Sequence, residues 1–93
     1  MKLFEWNLEK NEILKKTRRI SFEDVLIAVS ENNILDILKH PNQKKYPNQK
    51  ILIVEINNYA YLVPFVEDKE KIFLKTIIPN KKATKNYILK NQK

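Results

Sequence analysis

The sequence predicts an α+β domain, and three observations carry that prediction. Three apolar runs follow one another, Ile51–Ile56, Tyr59–Val66 and Ile72–Ile78, each rich in β-branched and aromatic residues and bounded by polar turn residues. That is the pattern of strands. Upstream, Phe22, Val25, Leu26 and Val29 fall at i, i+3, i+4 and i+7, one face of a helix. The chain has 93 residues, the length of a single domain, 1–93, with a thin core. The expected architecture is an antiparallel β-meander, two N-terminal helices packed on it and a short C-terminal helix.

The elements follow in order. Leu3–Trp6 alternates apolar and polar briefly and reads as a short first strand. Asn7 suits the N-cap of a helix from Leu8 to about Lys16, whose stripe of Leu8, Ile13 and Leu14 is weak. Thr17–Ile20 is then a basic connector. Ser21 caps the second helix, and Asp24 occupies the capping-box position; Glu23 and Asp24 also suit a positive helix start. The helix ends over Ser30–Asn33, where Asn supplies the left-handed residue in a chain without Gly. Ile34–Leu38 fits a strand or a further helical turn. The Asn32-Asn33 break and Pro41 favour a strand.

Lys39–Lys50 carries a short repeat, Pro41-Asn42-Gln43-Lys44 and then Pro47-Asn48-Gln49-Lys50, in the composition of a loop or a Pro-bounded connector. Asn57-Asn58 suits a two-residue hairpin turn. Glu67–Lys71 is a longer charged loop. Pro79 ends the last strand, Asn80 or Thr84 caps a short helix carrying Ala83, Tyr87 and Ile88, and Asn91–Lys93 frays.

A two-residue turn at Asn57-Asn58 sets Ile56 against Tyr59 and Val54 against Tyr61. One sheet face then carries Leu52, Val54, Ile56, Tyr59, Tyr61, Val63 and Phe65. The other carries Ile51, Ile53, Glu55, Ala60, Leu62, Pro64 and Val66. A sheet covered on one side alternates apolar with polar. This one is apolar on both, so both faces are covered or one is a binding surface. One register of the third strand sets Lys75 beside the Tyr61 face, and a slip of one residue sets it near Glu55.

Composition narrows the chemistry. The chain has no Cys and one His, which excludes disulfides, thiol catalysis and Cys- or multi-His metal sites. Without Gly, P-loops and dinucleotide fingerprints are excluded too. Neither a cofactor nor a metal is expected. No apolar run approaches the ~20 residues of a membrane span, and Met1–Trp6 lacks a signal-peptide core. The expectation is a cytoplasmic protein with no membrane partner. A formal charge of +7 points to polyanions or to solvated lysines of a Lys-, Asn- and Ile-rich chain. The bases cluster in Lys15, Lys16, Arg18 and Arg19, in Lys44 and Lys45 with Lys50, and in Lys81 and Lys82 with Lys85 and Lys90. Acids dominate Glu23–Asp36.

Several side chains have two readings. Glu55 is an edge or salt-bridged residue, or else a catalytic carboxylate. Tyr59 and Tyr61 are core residues with hydroxyls at the rim, or platforms on which bases stack. His40 is a loop residue beside Pro41, or the one group titrating near neutrality.

Phe4-Glu5-Trp6-Asn7, Lys10 and Ile20-Ser21-Phe22-Glu23-Asp24-Val25 resemble the N-terminal signature of the BrnT toxin family, F-x-W-[DN], a Lys, then [VI]-S-F-E-[ED]-[AV]. Thr76–Ala83 is similar to its R-I-I-S-A-R-[KR]-A segment. Thr17-Arg18-Arg19 stands where that family often has Lys-His-Gly, and Lys81, Pro79 and Thr76 replace an Arg, a Ser and an Arg. The resemblance implies a divergent member with a RelE-like fold, acting as the toxin of a type II toxin–antitoxin pair. It implies a metal-independent ribonuclease, in a hetero-oligomer with a ribbon-helix-helix (CopG/BrnA-like) antitoxin.

On that reading the ribose 2′-OH attacks the adjacent phosphate, expels the 5′-O of the next nucleotide and leaves a 2′,3′-cyclic phosphate; cleaving mRNA in this way inhibits translation and growth. The reaction needs a base, an acid and cations for the phosphorane. Lys81, Lys82 and Arg18 are the cation candidates, and His40, Glu55 or Tyr87 the proton carriers. Lys15, Lys16, Arg19, Lys44, Lys45, Lys75, Lys85 and Tyr61 are the RNA-binding candidates. The competing reading is an inert basic module that binds an antitoxin or RNA.

Overall fold

The computed structural model describes residues 2–89. The order is β1 (Leu3–Trp6), α1 (Leu8–Arg18), α2 (Phe22–Ser30), β2 (Ile34–Lys39), β3 (Gln49–Ile56), β4 (Tyr59–Glu67), β5 (Lys71–Leu74), β6 (Ile78–Pro79) and α3 (Lys81–Ala83), which continues as a π-helical turn over Thr84–Ile88. Among these residues the strands form one sheet in the order β1-β5-β4-β3-β2, with β6 also beside β4. The fold is α+β. Lys90 and the fraying expected over 91–93 lie outside the described residues. No described helix is long and apolar enough to cross a membrane.

Local signals set the helix ends. Asn7 Oδ1 accepts the Lys10 N–H at 2.9 Å. Ser21 and Asp24 form a reciprocal capping box, with Asp24 N to Ser21 Oγ at 3.2 Å and Ser21 N to Asp24 Oδ2 at 2.9 Å. Positive φ falls on Arg19, Asn32, Asn57 and Asn58, three of the four being Asn, the residue that best replaces Gly there. With φ of 54° and 63°, Asn57 and Asn58 both sit where a type I′ hairpin turn requires.

α1 runs to Arg18, so the expected connector at Thr17–Ile20 is largely the helix's last turn. Its expected stripe fails as well. Leu14 is buried, but Leu8 is 77% and Ile13 48% exposed. The inward position goes to Asn11, whose Nδ2 donates to Glu23 Oε1 at 2.7 Å and whose Oδ1 accepts Phe22 N at 2.8 Å. That pair of bonds joins the two helices. In α2, Phe22, Val25 and Ala28 are the buried residues, while Leu26 and Val29 are half-buried.

The β3–β4 register is the expected one, with Ile56 opposite Tyr59 and Val54 opposite Tyr61. Leu52, Val54, Val63, Phe65 and Leu74 pack on one side with Phe22, Val25 and Leu14. Each large side chain buried there contributes roughly 1.5–3 kcal/mol. Trp6 joins them, stacked on Phe22 at 5.6 Å. The opposite face carries a smaller cluster, in which Ile53 and Ala60 meet Ala83 and Ile88 of the C-terminal helical segment. Both faces are therefore covered, in part.

The sheet departs from an all-antiparallel meander at two places. β1 runs parallel to β5, Phe4 beside Ile72 and Trp6 beside Leu74. The third apolar run is not one strand. β5 stops at Leu74, Lys75–Ile77 leave the ladder, and the chain returns to β4 as β6, which ends at Pro79 as expected, with Pro79 paired to Tyr61. Leu74 pairs with Phe65, and Lys75 N donates to Pro64 O at 2.8 Å. Lys75 therefore stands level with Pro64, a residue of the Glu55 face and not of the Tyr61 face, at the point where the chain leaves the ladder. The loop expected over Lys39–Lys50 is shorter, because Gln49 and Lys50 begin β3.

Candidate nucleic-acid interface

The tight Asn57-Asn58 turn places Tyr59 and Tyr61 two residues apart on the same side of β4. Their rings meet edge to face, centroids 5.7 Å apart. β6 then lays Pro79 against Tyr61, and Asn80 turns the chain into α3. Asn80 Oδ1 accepts Ala83 N at 2.7 Å, and Asn80 N donates to Ala60 O at 3.0 Å. Thr84 completes the attachment. Its buried Oγ1 accepts the Ala60 N–H at 2.9 Å and donates to Asn80 O at 2.8 Å. The helical segment is thus pinned to β4 by these bonds and by the packing of Ala83 and Ile88, none of which uses its lysines.

Lys81 and Lys85, four residues apart, share a hollow of about 530 Å³ with Tyr59, Thr84, Asn86 and Leu89. Arg18 reaches the same stretch of chain from α1. Its Nη1 donates to Ile77 O at 2.6 Å, two residues before the Pro79 that pairs with Tyr61. Lys15, Lys16 and Arg19 are exposed around the same helix end, where basic side chains offset the negative end of the helix dipole. Lys15 is also paired with Glu12 at 3.1 Å, and that hydrogen bond raises its pKa. Lys82 is exposed beside Lys81. Lys81 and Lys85 thus share one hollow with Tyr59, whose ring meets Tyr61, while Arg18 holds the chain that leads into β6.

None of the candidate proton carriers lines that hollow. Tyr87 OH donates to Asp36 Oδ2 at 2.7 Å, and that carboxylate raises the phenol pKa, holding it in the neutral, proton-donating form. Glu55 lines a groove with Asp24, Glu31, Asn33 and Asn57, whose other charged lining residues are acids. His40 lies at the other end of the sheet. Its N–H donates to Gln49 O at 3.0 Å, whereas Tyr59 lies opposite Ile56, and the eight residues of β3 span roughly 25 Å. There His40 packs on Tyr46 at 4.4 Å, and its Nδ1 accepts the Asn42 N–H at 3.0 Å. Lys45 Nζ lies 5.5 Å from the Tyr46 ring centre, and Lys44 is exposed in the same loop. The basic candidates form two separate patches, with exposed Lys75 on the chain between β5 and β6.

Asp36 as the partner of Tyr87, and Thr84 and Asn86 in the hollow, were not among the candidates. The i, i+4 spacing of Lys81 and Lys85 was the available signal for that surface. The Asp36–Tyr87 contact spans 51 positions and has no local signature. Among the described residues no three His, Cys, Asp or Glu side chains are grouped to hold a metal. What the margin offers chemically is positive charge for phosphates and aromatic rings for bases. Compared with protein-family models, curated proteins and solved structures, the chain matches none.

Proposed function

We propose that the protein is a BrnT-type toxin with a RelE-like arrangement, a ribonuclease that cleaves RNA without metal at the Tyr59–Lys81 margin. The observation that supports this reading is the hollow that Lys81 and Lys85 share with Tyr59, whose ring meets Tyr61, with Arg18 bonded to Ile77 on the chain leading into β6. The tyrosines stack on bases and align the strand. Lys81 and Arg18, with Lys82 beside them, neutralise the charge that grows on the phosphorane as the 2′-OH attacks. Lys neutralises phosphate as a point charge, without the two-pronged bond of Arg, so turnover is slow. The protein acts in the cytoplasm, and a ribbon-helix-helix antitoxin silences it by covering the same margin.

Lys81→Ala tests the assignment. It relieves growth arrest and lowers cleavage by about 10²-fold, the scale of losing one charge stabiliser, with the far-UV circular dichroism unchanged. Undiminished toxicity of a folded Lys81→Ala protein would count against it.

One observation favours a second reading, RNA binding without cleavage. The Tyr87 hydroxyl is engaged by Asp36, and His40 lies at the far end of the sheet. RNA carrying 2′,3′-cyclic phosphate ends after incubation in EDTA would reject the inert reading; intact RNA bound at the same margin would favour it.

A further inference from the structure

β2 is the outermost strand on its side of the sheet, and among the described residues it pairs with β3 alone. His40 N bonds to Gln49 O at 3.0 Å, and bonded and non-bonded pairs alternate along an antiparallel ladder. Leu38 therefore turns its backbone groups toward β3, while Ile37 and Lys39 turn theirs outward. The first half of the edge is guarded. A register irregularity between Ile34 and Asp36 interrupts it, and Asp36 Oδ1 accepts the outward Ile37 N–H at 2.8 Å. Beyond Ile37 the edge is open.

The side chains around this open stretch are apolar. Ile37 is 53% and Leu38 42% exposed, one on each face of the sheet. On the helix-bearing face, Ile37 borders a hollow of about 220 Å³, formed with Phe4, Val29, Ile34, Leu52 and Phe65. An added strand would reach that hollow with every second side chain. The exposed charges beyond Ile37 are basic, Lys39 on the strand itself and Lys44 and Lys45 in the loop that follows; of the acids nearby, Glu67 in the hollow is paired with Lys50 at 2.7 Å, and Asp36 with the Tyr87 hydroxyl.

We propose that the Ile37–Lys39 edge docks an extended, acidic segment of a partner protein, which adds a strand to the sheet and sets apolar residues in the hollow beside Ile37. Main-chain bonds to Ile37 and Lys39 hold it, its carbonyl displacing Asp36 Oδ1 from the Ile37 N–H. Acidic side chains meet Lys39, Lys44 and Lys45. A second copy of this chain is the wrong occupant, because Lys on an edge strand discourages self-pairing and each copy carries a charge of +7. The site lies at the end of the sheet away from Tyr59 and stands independently of the RNA reading.

The probe is a short synthetic peptide alternating Glu and Val, with a Lys and Val peptide as its counterpart. Amide hydrogen exchange, followed by nuclear magnetic resonance on the full chain, should slow at Ile37 and Lys39 when the acidic peptide binds, and the basic peptide should not bind. Lys39→Gln removes only the charge and weakens binding a few-fold. Lys39→Pro also removes the outward N–H, which an edge strand tolerates, and weakens binding about tenfold further, the worth of one main-chain bond. The proposal is overturned by absence of binding, by equal binding of both peptides, or by protection elsewhere. It is also overturned if Lys39→Pro, folded by circular dichroism, binds as well as Lys39→Gln. A dimer of the protein alone with Ile37 and Lys39 protected would assign the edge to a second copy.

Discussion

Thr84 and Asn11 are buried polar residues in a thin core, and each uses its hydrogen-bonding groups to join two elements. Thr84→Val keeps the shape but leaves the Ala60 N–H without its acceptor, at a cost of about 1–3 kcal/mol. Thr84→Ser, which keeps the hydroxyl, should lose less; urea unfolding of the two variants checks the order. Neither role was legible beforehand, because a buried Asn on a weakly striped helix looks like a solvent position. Glu67 sets a pH dependence. Lys2 at 2.8 Å and Lys50 at 2.7 Å both donate to it and hold its pKa below the ordinary 4.5. A depressed folded pKa contributes stability above the unfolded value, and that contribution is lost as pH falls through the folded one. Glu23, held down chiefly by the Asn11 hydrogen bond, acts in the same direction. Thermal stability should therefore fall on the acid side of 4.5, and Glu67→Gln should make that fall shallower.

Elements with local signals were read directly from the chain. The Ser21–Asp24 capping box, the Asn57-Asn58 turn and the β3–β4 register all depend on neighbours in sequence, and all stand as expected. Elements set by distant partners were not legible. β5 stops at Leu74 because the chain leaves β4 and returns to it as β6, and the apolar run Ile72–Ile78 carries no mark of that break. The parallel pairing of β1 with β5 joins opposite ends of the chain, where short strands offer no pattern to read. The end of α1 gives a prediction. Arg19 closes it at φ 54°, a conformation that costs a residue with a Cβ about 1–2 kcal/mol. Arg19→Gly should raise the unfolding free energy by about 1 kcal/mol, less than the full strain because Gly is freer in the unfolded chain. The same change should weaken RNA binding if this helix end faces the nucleic acid.

Among the described residues two basic patches stand at opposite ends of the sheet, and different work is proposed for each. The Arg18–Lys81 margin, with its tyrosines, is the proposed RNA site; the Lys39–Lys45 end, with its open strand edge, is the proposed site for an acidic peptide. Binding of single-stranded RNA should weaken with salt, and Lys81→Ala should flatten the log–log slope by about 0.7, one phosphate contact. Lys44→Ala and Lys45→Ala should leave that slope nearly unchanged, because both stand roughly 25 Å from Tyr59 along the sheet. Half the candidate site was legible as lysine spacing. The other half, the convergence of Arg18 with the chain before β6 and the separation of His40 from it, follows from strand order, which spacing does not encode. The most direct test of the central claim is incubation of purified protein with a single-stranded RNA in EDTA, with the new ends analysed. The account predicts fragments ending in 2′,3′-cyclic phosphate, and their loss in Lys81→Ala. Intact RNA with the native protein, or equal cleavage by the folded Lys81→Ala variant, would contradict it.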